Sequence, residues 1–325
     1  MKRALGVLAI VIAAAALLAG GVLLWCNKTF QEPGPLTRET MIVIERGASL
    51  RRIAKQLGQA GILRYPFLFV AKAKWTGVHH HLKAGEYAFT SRTSPAAVME
   101  KIRKGDVVVH RITIPEGLTT YQAVKLIEGA PALDGQLSAL PAEGSLLPET
   151  YDYIYGDTRS ALAQRMKKAR HATLKDLWSK RAEGLPIANP QAATILASIV
   201  EKETADTKER PRIAAVFINR LNRNMRLQSD PTVRYGLPEV DQKQRLTRQD
   251  LNKKTLHNTY KIMGLPATPI CNPGEASIIA ALNPRKTDFL YFVATGNGGH
   301  SFSVTLKEHN KHVAKWRKFQ KSSFQ

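Results

Sequence analysis

Two cysteines among 325 residues, Cys26 and Cys271, exclude a disulfide framework, and neither stands in a pair with metal-ligand spacing. Cys26 follows Leu-Leu-Trp rather than the small residues that a lipoprotein cleavage site needs, so both thiols read as free. Acidic side chains are scarce: 26 Asp and Glu stand against 48 Lys and Arg, a formal charge of +22. Such an excess points to a polyanionic partner, whether nucleic acid, anionic lipid headgroups or an acidic polymer. Hydrophobic residues make up 44% of the chain, enough for a packed core, so the chain reads as folded.

Charge is missing altogether from Leu5 to Trp25, behind Lys2 and Arg3. At about 1.5 Å per residue, this run of roughly 20 residues matches the ~30 Å hydrocarbon core. A cleaved signal peptide is the competing reading, but its apolar core runs to only about 7–15 residues. Length therefore favours a retained single-pass anchor, with Trp25 suited to the interface and residues 1–4 in the cytoplasm. Everything beyond would then face outward, on the periplasmic side of the inner membrane. That placement, together with the lack of any recognisable binding module, argues against nucleic acid as the partner.

Residues 26–40 are polar with two prolines and read as a linker. From Met41 a strand, a Gly turn and a helix follow, with Ser49 placed as the cap. About 70 residues later "RITIPEGLTTYQAVKLI" repeats the pattern: Ile42 matches Ile112, Gly47 matches Gly117, and Ser49 matches Thr119. Two readings stand, an internal repeat or two ordinary βα units. The first copy resembles a LysM module, a small fold associated with N-acetylglucosamine polymers. Between the copies, "LKAGEYAF" reads as a turn into a strand and "SPAAVMEKIRKG" as a capped helix stopped by Gly105. His79, His80 and His81 are adjacent, point in different directions and have no accompanying carboxylates, so they read as a solvated loop. Beyond residue 160 helices dominate, until "DFLYFVATGNGGHSFSV" reads as a hairpin and a basic C-terminal helix follows, with Val313, Trp316 and Phe319 as its apolar stripe. The fold class is α+β. Residues 5–25 form a transmembrane helix, 41–110 a small LysM-like βα region, and 111–325 a mixed helix/strand domain.

One segment, "ASIVEKET", ends an apolar run with two glutamates. On a helical wheel at about 100° per residue with Ile195 at zero, Ile199 falls near 40°, Leu196 near 100° and Val200 near 140°. Glu203 falls at about 80°, within that stripe, and Glu201 at about 240°, on the face of Ala197 and Ser198. A carboxyl on an apolar face is costly unless paired or neutral. Burial raises its pKa, which is what a proton donor for glycosidic cleavage requires. The structural alternative is an ion pair with Arg212, Arg220 or another basic residue, holding two elements together. Downstream, "MRLQSDPTVRYG" sets Gln228, Ser229 and Asp230 in a polar turn before Pro231, and "HNTYKIMGLPATPICNPG" adds Asn258, Thr259 and Tyr260 on a loop stiffened by Pro and Gly. "GGHSF" adds His300. Polar residues concentrated on rigid loops suit an extended sugar cleft.

With those strings and "VFINRL", "NTY" and "EHN" in this order behind one membrane span, the chain resembles the membrane-anchored endolytic murein transglycosylases, the MltG/YceG-like family. The resemblance runs from about Met41 to near the C-terminus. It implies cleavage of the β-1,4 bond between N-acetylmuramic acid and N-acetylglucosamine in peptidoglycan strands, leaving 1,6-anhydro ends, with no cofactor and no metal. The family's catalytic glutamate carries over onto Glu203, and Gln228, Asp230, Asn258, Tyr260 and His300 match motif positions in the cleft. "LLPETYDY" places Glu149 in a further family motif, and Glu201 is a possible helper. Peptidoglycan synthases are implied partners. The sequence departs from the family at Ala267, where a second proline is usual. Two rival functions remain: a hydrolytic muramidase, which needs a second carboxylate from Glu201 or Asp230, and a non-enzymatic wall-binding scaffold.

Overall fold

The computed structural model describes residues 2–238, 245–296 and 298–323. The side chains of residues 2–4 and 321–323 also fall outside the description, and with them Lys2 and Arg3, on which the orientation of the anchor rests. The chain divides into two compact units: residues 1–110 with 152–157, and residues 111–151 with 158–325.

The first unit opens with α1 (Lys2–Gln31), whose stretch Leu5–Gln31 is long and apolar enough to cross a membrane. Then come β1 (Thr40–Ile44), α2 (Leu50–Gln59), α3 (Pro66–Trp75), β2 (Gly85–Phe89), α4 (Pro95–Lys104) and the start of β3 (Val109–Thr113), whose residues 111–113 belong to the second unit. The strands β1 and β2 pair antiparallel, Thr40 opposite Phe89 and Ile44 opposite Gly85. Alternation along β2 buries Gly85, Tyr87 and Phe89, and the helices add Leu57, Phe69 and Ile102 to form one core. The linker read over residues 26–40 needs correction at its start. The helix continues to Gln31, and Phe30 and Leu36 are buried in this core, because an apolar side chain at either place gains more from burial than from a free tether.

The second unit contains α5 (Thr120–Gly129), β4 (Leu133–Asp134), the start of β5 (Thr150–Ile154, with residues 152–154 in the first unit), the end of β6 (Asp157–Thr158, with Asp157 in the first unit), α6 (Arg159–Ser179), α7 (Pro190–Glu203) and α8 (Arg210–Asn222). It continues with α9 (Asp230–Tyr235), α10 (Arg248–Asn252), α11 (Glu275–Leu282), β7 (Tyr291–Ala294), β8 (His300–Ser303) and α12 (Leu306–Ser323). Strand β3 pairs with β5 and β4 with β6, while β7 and β8 form the antiparallel hairpin expected from the Gly-rich turn. Asn297, within that turn, lies outside the described residues.

Central to this unit is α7, started by Pro190 at its first position and by the Asn189 side chain, which accepts from Ala192 N at 2.9 Å. Every residue from Ala193 to Val200 is buried, with α6, α8, α9 and α11 packed around it. The wheel assigned α7 one apolar face; from Ala193 to Val200 it has no solvated one, with Gln191 and Lys202 exposed at its ends. Ala197 and Ser198 are small because another segment must come close there: Ser198 Oγ accepts from Ile270 N at 3.0 Å, and the Cys271 thiol donates to Ser198 O at 3.4 Å.

The two strand–turn–helix segments share backbone geometry. Gly47 and Gly117 both stand at φ +77, where a side chain would be strained. Two residues later Ser49 and Thr119 each accept from the third amide of the helix, at 3.3 and 3.2 Å. Thr119 adds the reciprocal bond, its own N–H donating to Gln122 Oε1 at 3.1 Å.

Candidate active site

Glu203 is the last residue of α7, where three influences meet. Burial among apolar neighbours is the largest and disfavours the carboxylate; Asp230 nearby adds like-charge repulsion. A helix C-terminus is itself negative, so the backbone does not help an anion there. Against these act a hydrogen bond from Ser229 Oγ to Glu203 Oε1 at 2.5 Å and the more distant positive charge of Arg220. Burial wins, and the carboxyl is pushed up from 4.5 to about 7.

The ion-pair alternative is not what the geometry presents. Among the described residues no cation lies within salt-bridge distance of Glu203. The Arg220 guanidinium is directed to backbone carbonyls: Leu290 O at 2.7 Å, Leu227 O at 2.9 Å and Arg226 O at 3.2 Å, with Gln228 Oε1 at 3.3 Å. Arg212 sits over the Phe302 ring, 5.9 Å from its centroid. Glu201 is the paired glutamate. Its side chain is 4% exposed and accepts from Arg210 Nη2 at 2.9 Å and from Gly274 N at 2.9 Å. Arg210 also reaches Glu116 at 3.1 Å. Glu201 thereby fastens the end of α7 to the starts of α8 and α11. Burial still outweighs the nearby cation and leaves its pKa raised.

Glu203 borders a cleft of about 420 Å³, within the range of small-ligand sites. Gln228, Asp230 and Tyr260 line it too, while Asn258, His300, Glu149 and Glu201 do not. Gln228 stands at φ +53, a left-handed position uncommon for a residue with a side chain, and its N–H donates to Thr259 O at 3.2 Å. That twist lets Ser229 follow directly with its hydroxyl on Glu203. The "NTY" triplet braces the turn one residue at a time. Asn258 holds the end of α10, donating to Lys253 O at 2.7 Å and Leu251 O at 3.1 Å. Thr259 Oγ1 accepts from Ser229 N at 2.9 Å, and Tyr260 donates its hydroxyl to Asp230 Oδ1 at 2.6 Å. Asn258 therefore acts from behind the cleft wall. His300 does likewise: Glu209 takes its N–H at 2.9 Å and its ring nitrogen at 2.7 Å, and the imidazole packs edge-on against Phe292, which lines the cleft. Glu149 is exposed at the start of β5.

Residues 42–315 match the profile of the YceG-like family. The chain belongs to that family. A Bacillus subtilis relative bearing the name endolytic murein transglycosylase is 30% identical over 92% of this chain and 91% of its own length. A Streptococcus pneumoniae protein of the same name is 28% identical over 83% of this chain, and the match spans 57% of that longer protein. A crystal structure of a YceG-like protein from Listeria monocytogenes superimposes with a TM-score of 0.54 at 30% identity, covering 84% of this chain and 98% of the other.

The sequence of this YceG-like chain offers Arg220 only as an ion partner for Glu203 and Val313 only as part of an apolar stripe, and it does not single out Tyr291 or His309, yet all four line the cleft. Arg220 lies in "VFINRL", where Asn219 works beside it, its amide donating to Thr287 O at 2.7 Å and Phe289 O at 3.0 Å. Both residues fix the strand that carries Tyr291, Phe292 and Val293 into the cleft. His309, in "EHN", lines the cleft from α12 with Leu306 and Val313, its ring stacked on Tyr291 at 5.2 Å. For Arg220 the signal was a charged residue inside the apolar run of α8, whereas His309 stands in a strongly polar helix where no such contrast marks it. At Ala267 the N–H donates to Leu256 O at 3.1 Å, a bond that a proline could not make.

Proposed function

We propose that this chain is an endolytic peptidoglycan lytic transglycosylase, with Glu203 as its general acid and then its base. The carrying observation is a carboxyl held near pKa 7 at the edge of a cleft, unpaired with any described cation and fixed by one hydroxyl. Protonated Glu203 gives its proton to the glycosidic oxygen as the bond between N-acetylmuramic acid C1 and that oxygen breaks. The resulting carboxylate then takes the proton of the muramic C6 hydroxyl as that oxygen closes on C1. A 1,6-anhydro end forms, no water is consumed, and Glu203 regains its proton. The names of the Bacillus and Streptococcus relatives support this substrate class.

The same reading extends to the rest of the chain. Helix α1 holds the enzyme in the inner membrane as a single-pass anchor, with the catalytic domain (residues 111–325) on the outer face. Residues 41–110 act as a LysM-like glycan-binding region, supported by their β–α–α–β order from β1 to β2. Cleavage next to the membrane would end growing glycan strands, which makes peptidoglycan synthases the natural partners.

A muramidase reading has one observation in its favour: Asp230 is a second carboxylate lining the cleft, whereas Glu201 is committed to Arg210. Mass spectrometry of digested peptidoglycan separates the two. The transglycosylase leaves 1,6-anhydromuramic ends, and reducing muramic ends from the wild-type chain would refute it. Release lost in Glu203→Gln with folding unchanged excludes the scaffold reading.

A further inference from the structure

The outer end of α1 does not leave the first unit as a bare stalk. Trp25 packs against Tyr65 at 5.8 Å between ring centroids, and Tyr65 against Phe67 at 6.0 Å. Helix α3 follows at once, and its Leu68, Ala71, Lys72 and Trp75 line an apolar groove whose other wall is Leu23, Cys26, Asn27 and Phe30 of α1. Spacing of three to four residues puts those α3 side chains on one face. Lys72 ties the wall together, its ammonium 3.5 Å from Asn27 Oδ1 and above the Phe30 ring.

Beside this groove α3 exposes side chains that water does not favour. Trp75 is 84% exposed and Phe67 62%, with Arg64 and Lys74 also exposed around them. Isolated exposed apolar residues are ordinary, but tryptophan, tyrosine and phenylalanine clustered with basic residues are the composition of a membrane interface. Depth decides the occupant. Leu23 belongs to the apolar run of α1, and Trp75 lines the same groove as Leu23. If Leu23 is in hydrocarbon, Trp75 cannot be far above it.

We propose that the face of α3 carrying Phe67, Trp75 and Lys74 lies in the headgroup layer of the membrane that α1 crosses, with phospholipid as its partner. The aromatic rings occupy the boundary between chains and headgroups, and the cations meet lipid phosphates. This rests on the anchor reading given above, and the experiment separates the two. The full chain is reconstituted in nanodiscs of phosphatidylcholine and phosphatidylglycerol, with or without bromine on the acyl chains near the headgroup end. Two single-tryptophan variants are compared. One keeps Trp75 (W25F, W178F, W316F) and the other keeps Trp25 (W75F, W178F, W316F).

Both tryptophans are expected to lose emission to the brominated lipid. Quenching of Trp25 without Trp75 overturns the lipid-facing surface while the anchor stands, and leaves a protein partner or a second copy as occupant of the face. Quenching of neither overturns the anchor and the surface together. Should a triple variant fail to fold, wild type is compared with W75F alone, a change at an exposed side chain. The proposal then requires W75F to lose part of the quenched emission, and an unchanged quenched emission overturns it.

Discussion

A carboxyl raised from 4.5 to about 7 is protonated in the folded chain at pH values where the unfolded chain has lost its proton. Between those limits the folded state binds more protons, so Glu203 makes stability fall as pH rises from about 4.5 through 7. Above that window the full cost of holding the anion remains, roughly 3–4 kcal/mol at about 1.4 kcal/mol per pKa unit. Glu203→Gln cannot ionise and still offers an oxygen to Ser229. It is therefore expected to unfold at higher urea than wild type at pH 8 and to show little gain at pH 4, measured by denaturant melts at both values. If Glu203 is the proton donor proposed above, the same variant should lose at least about 100-fold in glycan cleavage. Stability gained while activity is lost marks a group held for chemistry rather than for packing. Ser229 supplies a second test, because its hydroxyl lowers the pKa that burial raises. In Ser229→Ala the alkaline fall of kcat should move to higher pH; a fall at unchanged pH would mean that the hydroxyl does not tune Glu203.

Helix α7 carries two glutamates two residues apart into opposite duties, and the fastening of its neighbours explains why. Glu201 meets the starts of α8 and α11 through Arg210 and the Gly274 amide, so its loss should loosen three helices together. Glu201→Gln is expected to lower stability by about 2 kcal/mol, because Arg210 stays buried with only the half-exposed Glu116 to answer it. Product chemistry should be unchanged, and a switch from anhydro to reducing ends in this variant would instead place Glu201 in the reaction. A second fastening lies at Gly144, at φ +73, where an added Cβ would press on the Pro269 ring and Thr194 of α7. Gly144→Ala combines left-handed strain with overpacking and should cost about 2–4 kcal/mol in the same melts.

What could be read in advance follows from these contacts. Caps at Ser49 and Thr119 and the β7–β8 hairpin were legible because each depends on a few adjacent residues. The wheel set Glu203 in the apolar stripe and Glu201 on the small-residue face, but it could not show what that second face meets. Only the approach of the 270–274 segment and Arg210, far apart in sequence, turns that face inward. Asn258 and His300 stand at motif positions, yet their side chains brace the cleft from outside it. A motif string cannot distinguish a residue that touches the ligand space from one that holds its neighbour.

At the scale of the whole molecule, the +22 charge is larger than any single site requires. The cleft itself is governed by short-range groups, Ser229, Asp230 and Arg220, whose effects on Glu203 pass through a low-dielectric wall and are little screened by salt. The remaining cations act at distance, where screening sets in as the Debye length shortens from about 30 Å at 0.01 M to about 8 Å at 0.15 M. Stem-peptide carboxylates on peptidoglycan are anionic, so the field of the chain should raise their local concentration without altering the chemical step. With the full chain in zwitterionic nanodiscs, KM for glycan strands is expected to climb several-fold over that salt range while kcat stays level. Anionic lipid in the disc should flatten the response, because the headgroups then neutralise part of the same charge. A KM independent of salt in zwitterionic discs would show that the excess charge does not recruit substrate and would leave membrane contact as its role.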